Sequence, residues 1–116
     1  MTEAEVKVLR ARARAWLPKR LALLAFKRGF RYSGVRLGFQ RTRWGSRSSS
    51  GTISLNIGLM NVPVELRDYV IWHELAHTRH MNHSPEFWAE VARHCPSFKY
   101  YRAELKKYLP QEGKVR

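Results

Sequence analysis

Cysteine is almost missing from this chain of 116 residues: Cys95 stands alone, which excludes an internal disulfide and leaves no second thiolate to build a sulfur-based metal site. Long apolar runs are missing as well. The early stretch from Leu21 to Phe26 is hemmed in by Lys19-Arg20 and Lys27-Arg28, far short of the roughly 20 residues that cross a bilayer, so no membrane partner is expected. There is no internal repeat and no compositional break. Residues 1–109 therefore read as a single domain and 110–116 as a polar tail. The expectation is a soluble, cytoplasmic protein.

Acidic residues are the third scarcity. Nine Asp and Glu face 22 Lys and Arg, for a net charge of +13. The excess is N-terminal: through Arg47 there are 13 basic residues and 2 acids, whereas the rest of the chain has 9 and 7. A surface of that sign attracts nucleic acid, nucleotides or other polyanions through long-range fields and counterion release. A solvated basic helix that serves only solubility has the same composition.

Against this background one segment stands out. From Tyr69 to Thr78 the chain reads YVIWHELAHT, an apolar helix whose ionisable groups besides the tyrosine are His73, Glu74 and His77. Such a helix belongs in the interior, where an unpaired carboxylate is costly, and a metal ion would compensate it. On a helix, residues four apart differ by about 40° in azimuth and roughly 6 Å along the axis, so His73 and His77 reach one ion. Glu74 lies about 100° round from His73, beside the ion, where a base takes a proton from a metal-bound water. A third ligand must come from His80 or His83. His80 is roughly 10 Å along the axis from His73, too far for tetrahedral coordination from one straight helix. His83 is better placed, provided the helix ends near His80 and Met81-Asn82 turn the chain back. The fourth position, left to water, is the open arrangement of a catalytic zinc. The competing reading, a buried helix with hydrogen-bonded histidines and Glu74 paired to an arginine, would have to explain four residues and their spacing separately.

The remaining elements follow from periodicity. Thr2 and Glu5 form a capping box ahead of Val6, Leu9, Ala13 and Trp16, with Pro18 expected to kink the helix or restart it toward Gly29. Val35, Leu37 and Phe39, and later Ile53 and Leu55, alternate with polar or small residues as strands do, and Thr42–Ser46 supplies a third strand. With Arg47–Gly51 as a turn, a three-stranded antiparallel meander is expected. Pro63 opens the motif helix, which should extend to about His80. Ser84-Pro85 opens another helix ending at Cys95-Pro96, and Ser97 a last one with Phe98, Tyr101, Leu105 and Tyr108 inward. Cys95 and Trp44 read as core, and His94 as a helix-end cation. Glu86 and Glu90 are lesser candidates for a carboxylate ligand.

These residues sit inside a wider match. Trp44-Gly45-Ser46, Gly51–Asn56, Pro63, Tyr69–Ile71, His73–His77 and Asn82–Trp88 together resemble the YgjP-like metallopeptidases, relatives of the SprT-like zincins, over about residues 20 to 108. The resemblance implies that His73, His77 and His83 are zinc ligands and that Glu74 is the catalytic base. The chain departs from the family pattern at Arg47, where cysteine is usual, and at Ile57-Gly58, where a tryptophan-arginine pair is frequent.

The resulting expectation is an α+β, zincin-like domain: an N-terminal helix, a small antiparallel three-stranded sheet, the HExxH helix and two C-terminal helices. It binds one Zn2+ and hydrolyses peptide bonds in a polypeptide substrate. The alternatives are a metal-dependent nucleotide phosphohydrolase, or a basic nucleic-acid-binding module with a zinc site. Thr52–Asn56, if it forms the sheet edge facing the metal, would hold an extended peptide by strand addition, with Arg47 favouring acidic residues near the cut. The basic half should retain DNA or RNA in a mobility-shift titration at low salt and release it steeply as salt rises. No retention at low salt would leave the charge a solubility role alone.

Overall fold

The computed structural model describes residues 2–108, so the tail assigned to 110–116 lies outside the described residues. Helix α1 (Glu3–Arg28) begins at the expected capping box: the Glu5 N–H donates to Thr2 Oγ1 at 3.1 Å and the Thr2 N–H to Glu5 Oε1 at 2.9 Å. It ends on Gly29, whose φ of 70° is the left-handed conformation that closes a helix. Pro18 neither breaks nor restarts it. The buried stripe Leu9, Ala13, Leu17, Leu21 and Leu24 runs straight past the proline, and packing on both sides of it outweighs the one lost backbone bond.

The sheet consists of β1 (Gly34–Gly38), β2 (Gly45–Arg47) and β3 (Thr52–Asn56), in the order β1-β3-β2. It is mixed, whereas an antiparallel meander was expected: β3 is central, parallel to β1 and antiparallel to β2. Hairpin and alternation are both present, but β1 and β2 are not neighbours. The Asn56 side chain shows why. Its Nδ2 donates to the carbonyls of Gln40 (2.7 Å) and Arg43 (3.1 Å), pinning the 39–44 connection across the end of β3. The central place falls to the strand whose residues Ile53, Leu55 and Asn56 are buried. Thr52–Asn56 is therefore paired on both sides, and the free edge beside the motif helix belongs to β2.

A 3-10 helix (Ile57–Asn61) leads to α2 (Val64–His77), then α3 (Pro85–His94) and α4 (Phe98–Leu105). Helix α2 packs against α1, β2, the 3-10 helix, α3 and α4, which is why every residue from Tyr69 to His77 is buried. It stops at His77, a turn short of the expected His80, and the His80 N–H closes the end by donating to Ala76 O at 2.9 Å. Among the described residues no helix is long and apolar enough to cross a membrane.

The few acids act as anchors. Asp68 accepts two bonds from Arg20, 2.9 and 2.6 Å, joining α2 to α1. Buried Glu90 of α3 accepts from Arg79 (3.2 Å), Arg93 (3.3 Å) and His94 (2.7 Å), with His80 Nε2 at 3.5 Å. Arg79 also donates to the carbonyls of Arg28 and Gly29 and lies 3.8 Å from the Phe30 ring centroid, so one guanidinium ties the turn after α2 to the end of α1 and to α3. His94, at the end of α3 as expected, is stacked on Trp72 at 4.9 Å and bonded to Glu90.

Burial pushes the Glu90 carboxyl up, but the His94 hydrogen bond and the charges of Arg79 and Arg93 outweigh it and hold it below its ordinary value of 4.5. The stabilisation its carboxylate provides is therefore complete above that value and lost as pH falls through the folded-state pKa. Glu90→Gln should cost about 1–3 kcal/mol at neutral pH, with denaturant melts of variant and parent converging in acid. A pH-independent gap would show that charge is not what Glu90 contributes.

Candidate metal centre

Helix α2 presents His73, Glu74 and His77 to the interior, with relative exposures of 2%, 0% and 6%. His83 arrives from the segment after the helix, on the more exposed side. The three rings converge: His77 Nε2 is 3.0 Å from His83 Nε2, which is 3.3 Å from His73 Nε2, and a ligand atom from each lies within 4.8 Å of the others. Zinc–nitrogen bonds of about 2.0–2.1 Å at tetrahedral angles separate ligands by about 3.3 Å, so this spacing fits one ion.

Protonation fits too. Burial holds His73 well below the ordinary 6.5, with the neighbouring His77 and His83 adding to it, and pushes His77 down to about 4. Burial, then Arg102, also lowers His83. Rings that stay neutral keep a lone pair for a metal. His77 Nδ1 stands 3.1 Å from the His80 carbonyl oxygen. A carbonyl can only accept, so Nδ1 carries the proton and Nε2 is left to coordinate.

The structure thus brings His73, His77 and His83 together and leaves His80 outside the cluster. The His80 side chain turns to Glu90 while its carbonyl steadies His77. Neither Glu86 nor Glu90 joins the cluster: Glu86 is exposed and Glu90 is held by its cations. Burial raises the Cys95 thiol to about 11, leaving it inert. Phe87 and Trp88 were not among the expected site residues. The Phe87 ring lies 4.9, 4.4 and 5.0 Å from the rings of His73, His77 and His83, and Trp88 stacks on His83 at 5.8 Å. Their place just beyond His83, after Ser84-Pro85-Glu86, was the available signal. The Ser84 cap, which accepts the Phe87 N–H at 3.2 Å, turns α3 so that this aromatic floor lies under the histidines.

Glu74 is buried, and neither carboxyl oxygen has a partner among the described residues. The arginine pairing of the competing reading is therefore not made. Burial raises this carboxyl well above its ordinary 4.5, while the charges of Arg47 and Arg43 pull it back. A cation at the histidines supplies what this group lacks. β2 comes close enough for a Cβ at Gly45 to fall 3.0 Å from Glu74 Oε2 and 3.2 Å from Ser54 O, so only glycine lets strand and carboxyl meet.

This geometry has parallels. The chain is 27% identical to the metallopeptidase zymogen abylysin of Pyrococcus abyssi, whose crystal structure superposes with a TM-score of 0.68 over 81% of this chain and 95% of that one. No curated protein matches. The family profile described as "YgjP-like, metallopeptidase domain" matches residues 3–108. With its histidine cluster, its buried carboxyl and a family match spanning nearly its whole length, the chain belongs to the YgjP-like metallopeptidases and is a metal-dependent peptidase.

Proposed function

We propose that this peptidase uses zinc held by His73, His77 and His83, with Glu74 as general base. The observation that carries this reading is the convergence of three neutral imidazole nitrogens beside a buried, unpartnered carboxyl. Zinc, when bound, would polarise the scissile carbonyl and lower the pKa of a water toward about 7. Glu74 would take one proton from the attacking water as its oxygen adds to the carbonyl carbon, and hand that proton to the amine nitrogen as the C–N bond breaks. Burial raises the pKa of this carboxyl, and the charges of Arg47 and Arg43 act in the opposite direction, favouring the ionised form that accepts a proton. Gly45 keeps the space beside Oε2 clear.

Peptide recognition moves from Thr52–Asn56, now central, to the unpaired edge of β2 at Gly45–Arg47. An extended chain added there would have main-chain pairing, broad sequence tolerance and a path past Glu74. The phosphohydrolase and nucleic-acid alternatives draw on net charge alone, and Arg12, Arg20, Arg67 and Arg79 already donate to partners within the fold, which leaves those side chains less free to reach a phosphate. As a test of substrate form, one protein offered folded and unfolded should be cut only in the unfolded state.

Elemental analysis should find one zinc per chain, lost in His73→Ala, His77→Ala and His83→Ala and largely kept in His80→Ala, whose side chain points away. Zinc retained in His83→Ala but lost in His80→Ala would overturn the ligand set.

Glu74→Gln should keep zinc and fold while reducing peptide hydrolysis by about 10²-fold or more. The same variant should melt above the parent when both are metal-free, because a neutral amide replaces a buried carboxyl that burial penalises. Full activity in Glu74→Gln would remove Glu74 as the base.

A further inference from the structure

Arg47 ends β2 on the metal-facing side of the sheet. In the ladder Gly45 lies opposite Leu55 and Arg47 opposite Ile53, both partners fully buried, so Arg47 leaves the same face as Gly45, the face turned toward Glu74. Positions two apart on a strand are separated by about 7 Å, a span an arginine side chain covers. Its charge is felt by both Glu74 and His77.

The guanidinium is also held in place. Nη1 donates to the Ser48 carbonyl at 2.8 Å, and Ser48 is fixed in the hairpin: its N–H donates to Thr52 O at 2.9 Å and its Oγ accepts the Thr52 N–H at 3.1 Å. Nε is buried and has no partner among the described residues, nor does either oxygen of Glu74, so the two groups do not bond each other. Nη2 also has no partner among the described residues and, unlike Nε, is not closed to solvent, so it is the donor that an arriving acceptor can reach. In a peptidase cleft the arriving acceptor that gains negative charge during reaction is the scissile carbonyl oxygen.

We propose that Arg47 is a catalytic residue: from the end of β2 its guanidinium donates to the scissile carbonyl oxygen as negative charge develops there. This rests on the peptidase reading above. The donor is positioned by the hairpin before substrate binds, the arrangement in which electrostatic stabilisation of a transition state is strongest. Arg102, the other cation facing the histidines, lies 5.0 Å over the Trp88 ring and is exposed to water, so it is the natural control for loss of one charge near the site.

The test compares zinc-loaded parent, Arg47→Met, Arg47→Lys and Arg102→Met on matched peptides with neutral or acidic residues beside the cut. It also measures, by calorimetry, binding of a phosphinic peptide that mimics the tetrahedral oxyanion and of the corresponding product peptide. In Arg47→Met, kcat should fall about 10²–10³-fold on neutral and acidic peptides alike, with KM changed by no more than about threefold. Phosphinic-peptide affinity should fall with kcat, product-peptide affinity should hold, and Arg47→Lys should recover part of both. Added methylguanidinium should restore some turnover to Arg47→Ala, an effect a merely structural arginine would not show. Arg102→Met should leave the ratio of phosphinic- to product-peptide affinity unchanged. Unchanged kcat in Arg47→Met overturns the proposal, as does a loss confined to acidic peptides, which would make Arg47 a specificity anchor. If Arg47→Met loses zinc or fold, Arg47→Gln, which keeps a donor for Ser48, takes its place under the same criteria. A parent that neither cleaves peptides nor binds the phosphinic peptide sinks the peptidase reading itself, whereas a parent that does both beside an equally active Arg47 variant sinks this inference alone.

Discussion

A carboxyl group buried with no partner for either oxygen among the described residues is the constraint around which this molecule is organised. Glu74 sits at 0% exposure on a helix whose neighbouring positions, from Tyr69 to His77, are buried as well. An isolated charge in such surroundings is expensive. The structure meets that cost by placing three ring nitrogens where a cation can sit and by bringing two arginines within electrostatic range. Neutral histidines and a carboxyl awaiting a positive neighbour are two halves of one incomplete electrostatic unit.

Holding that unit together falls to elements far apart in sequence. His73, Glu74 and His77 come from α2, His83 from the following turn, the aromatic floor from α3 and the lid over Glu74 from β2. The turn carrying His80 and leading to His83 is the weak link, because α2 ends at His77. Arg79 fixes it, bonding the last carbonyls of α1 and the buried Glu90 at once. That network explains how a chain so poor in acids uses them: Asp68 and Glu90 each join helices to α2 or its outgoing turn, and many of the cations that give the chain its charge are engaged with carbonyls or aromatic rings inside the fold.

The sheet serves the same end. Placing β3 in the middle leaves short β2 as an edge directly against the motif helix, and glycine at position 45 allows contact that a side chain would prevent. Arg47, two residues on, leaves the strand on the same face, and its charge acts on Glu74. An open strand edge, a buried carboxyl and a cluster of imidazole nitrogens that could hold a metal thereby share one wall.

The local features were legible in the sequence because each depends on nearest neighbours: the Thr2 and Ser84 caps, the Gly29 terminus, the HExxH spacing that puts His73 and His77 on one helix face, and the need for His83 to come from beyond the helix. What only the tertiary structure decided were relations between segments with no fixed spacing. Periodicity gives a strand its two faces but not its neighbours, so the meander was expected where Asn56 instead pins the 39–44 connection and lets β3 take the centre. Proline rules allow the helix to restart at Pro18, yet it runs unbroken there, with a continuous buried stripe from Leu9 to Leu24. His94 can be placed at a helix end from the sequence, but its contacts with Trp72 and Glu90 cannot. Spacing along one helix is set by backbone geometry and can be read from residue numbers; which surfaces meet is set by the packing of the whole chain, and the partner of a buried charge is known only when those surfaces are in contact.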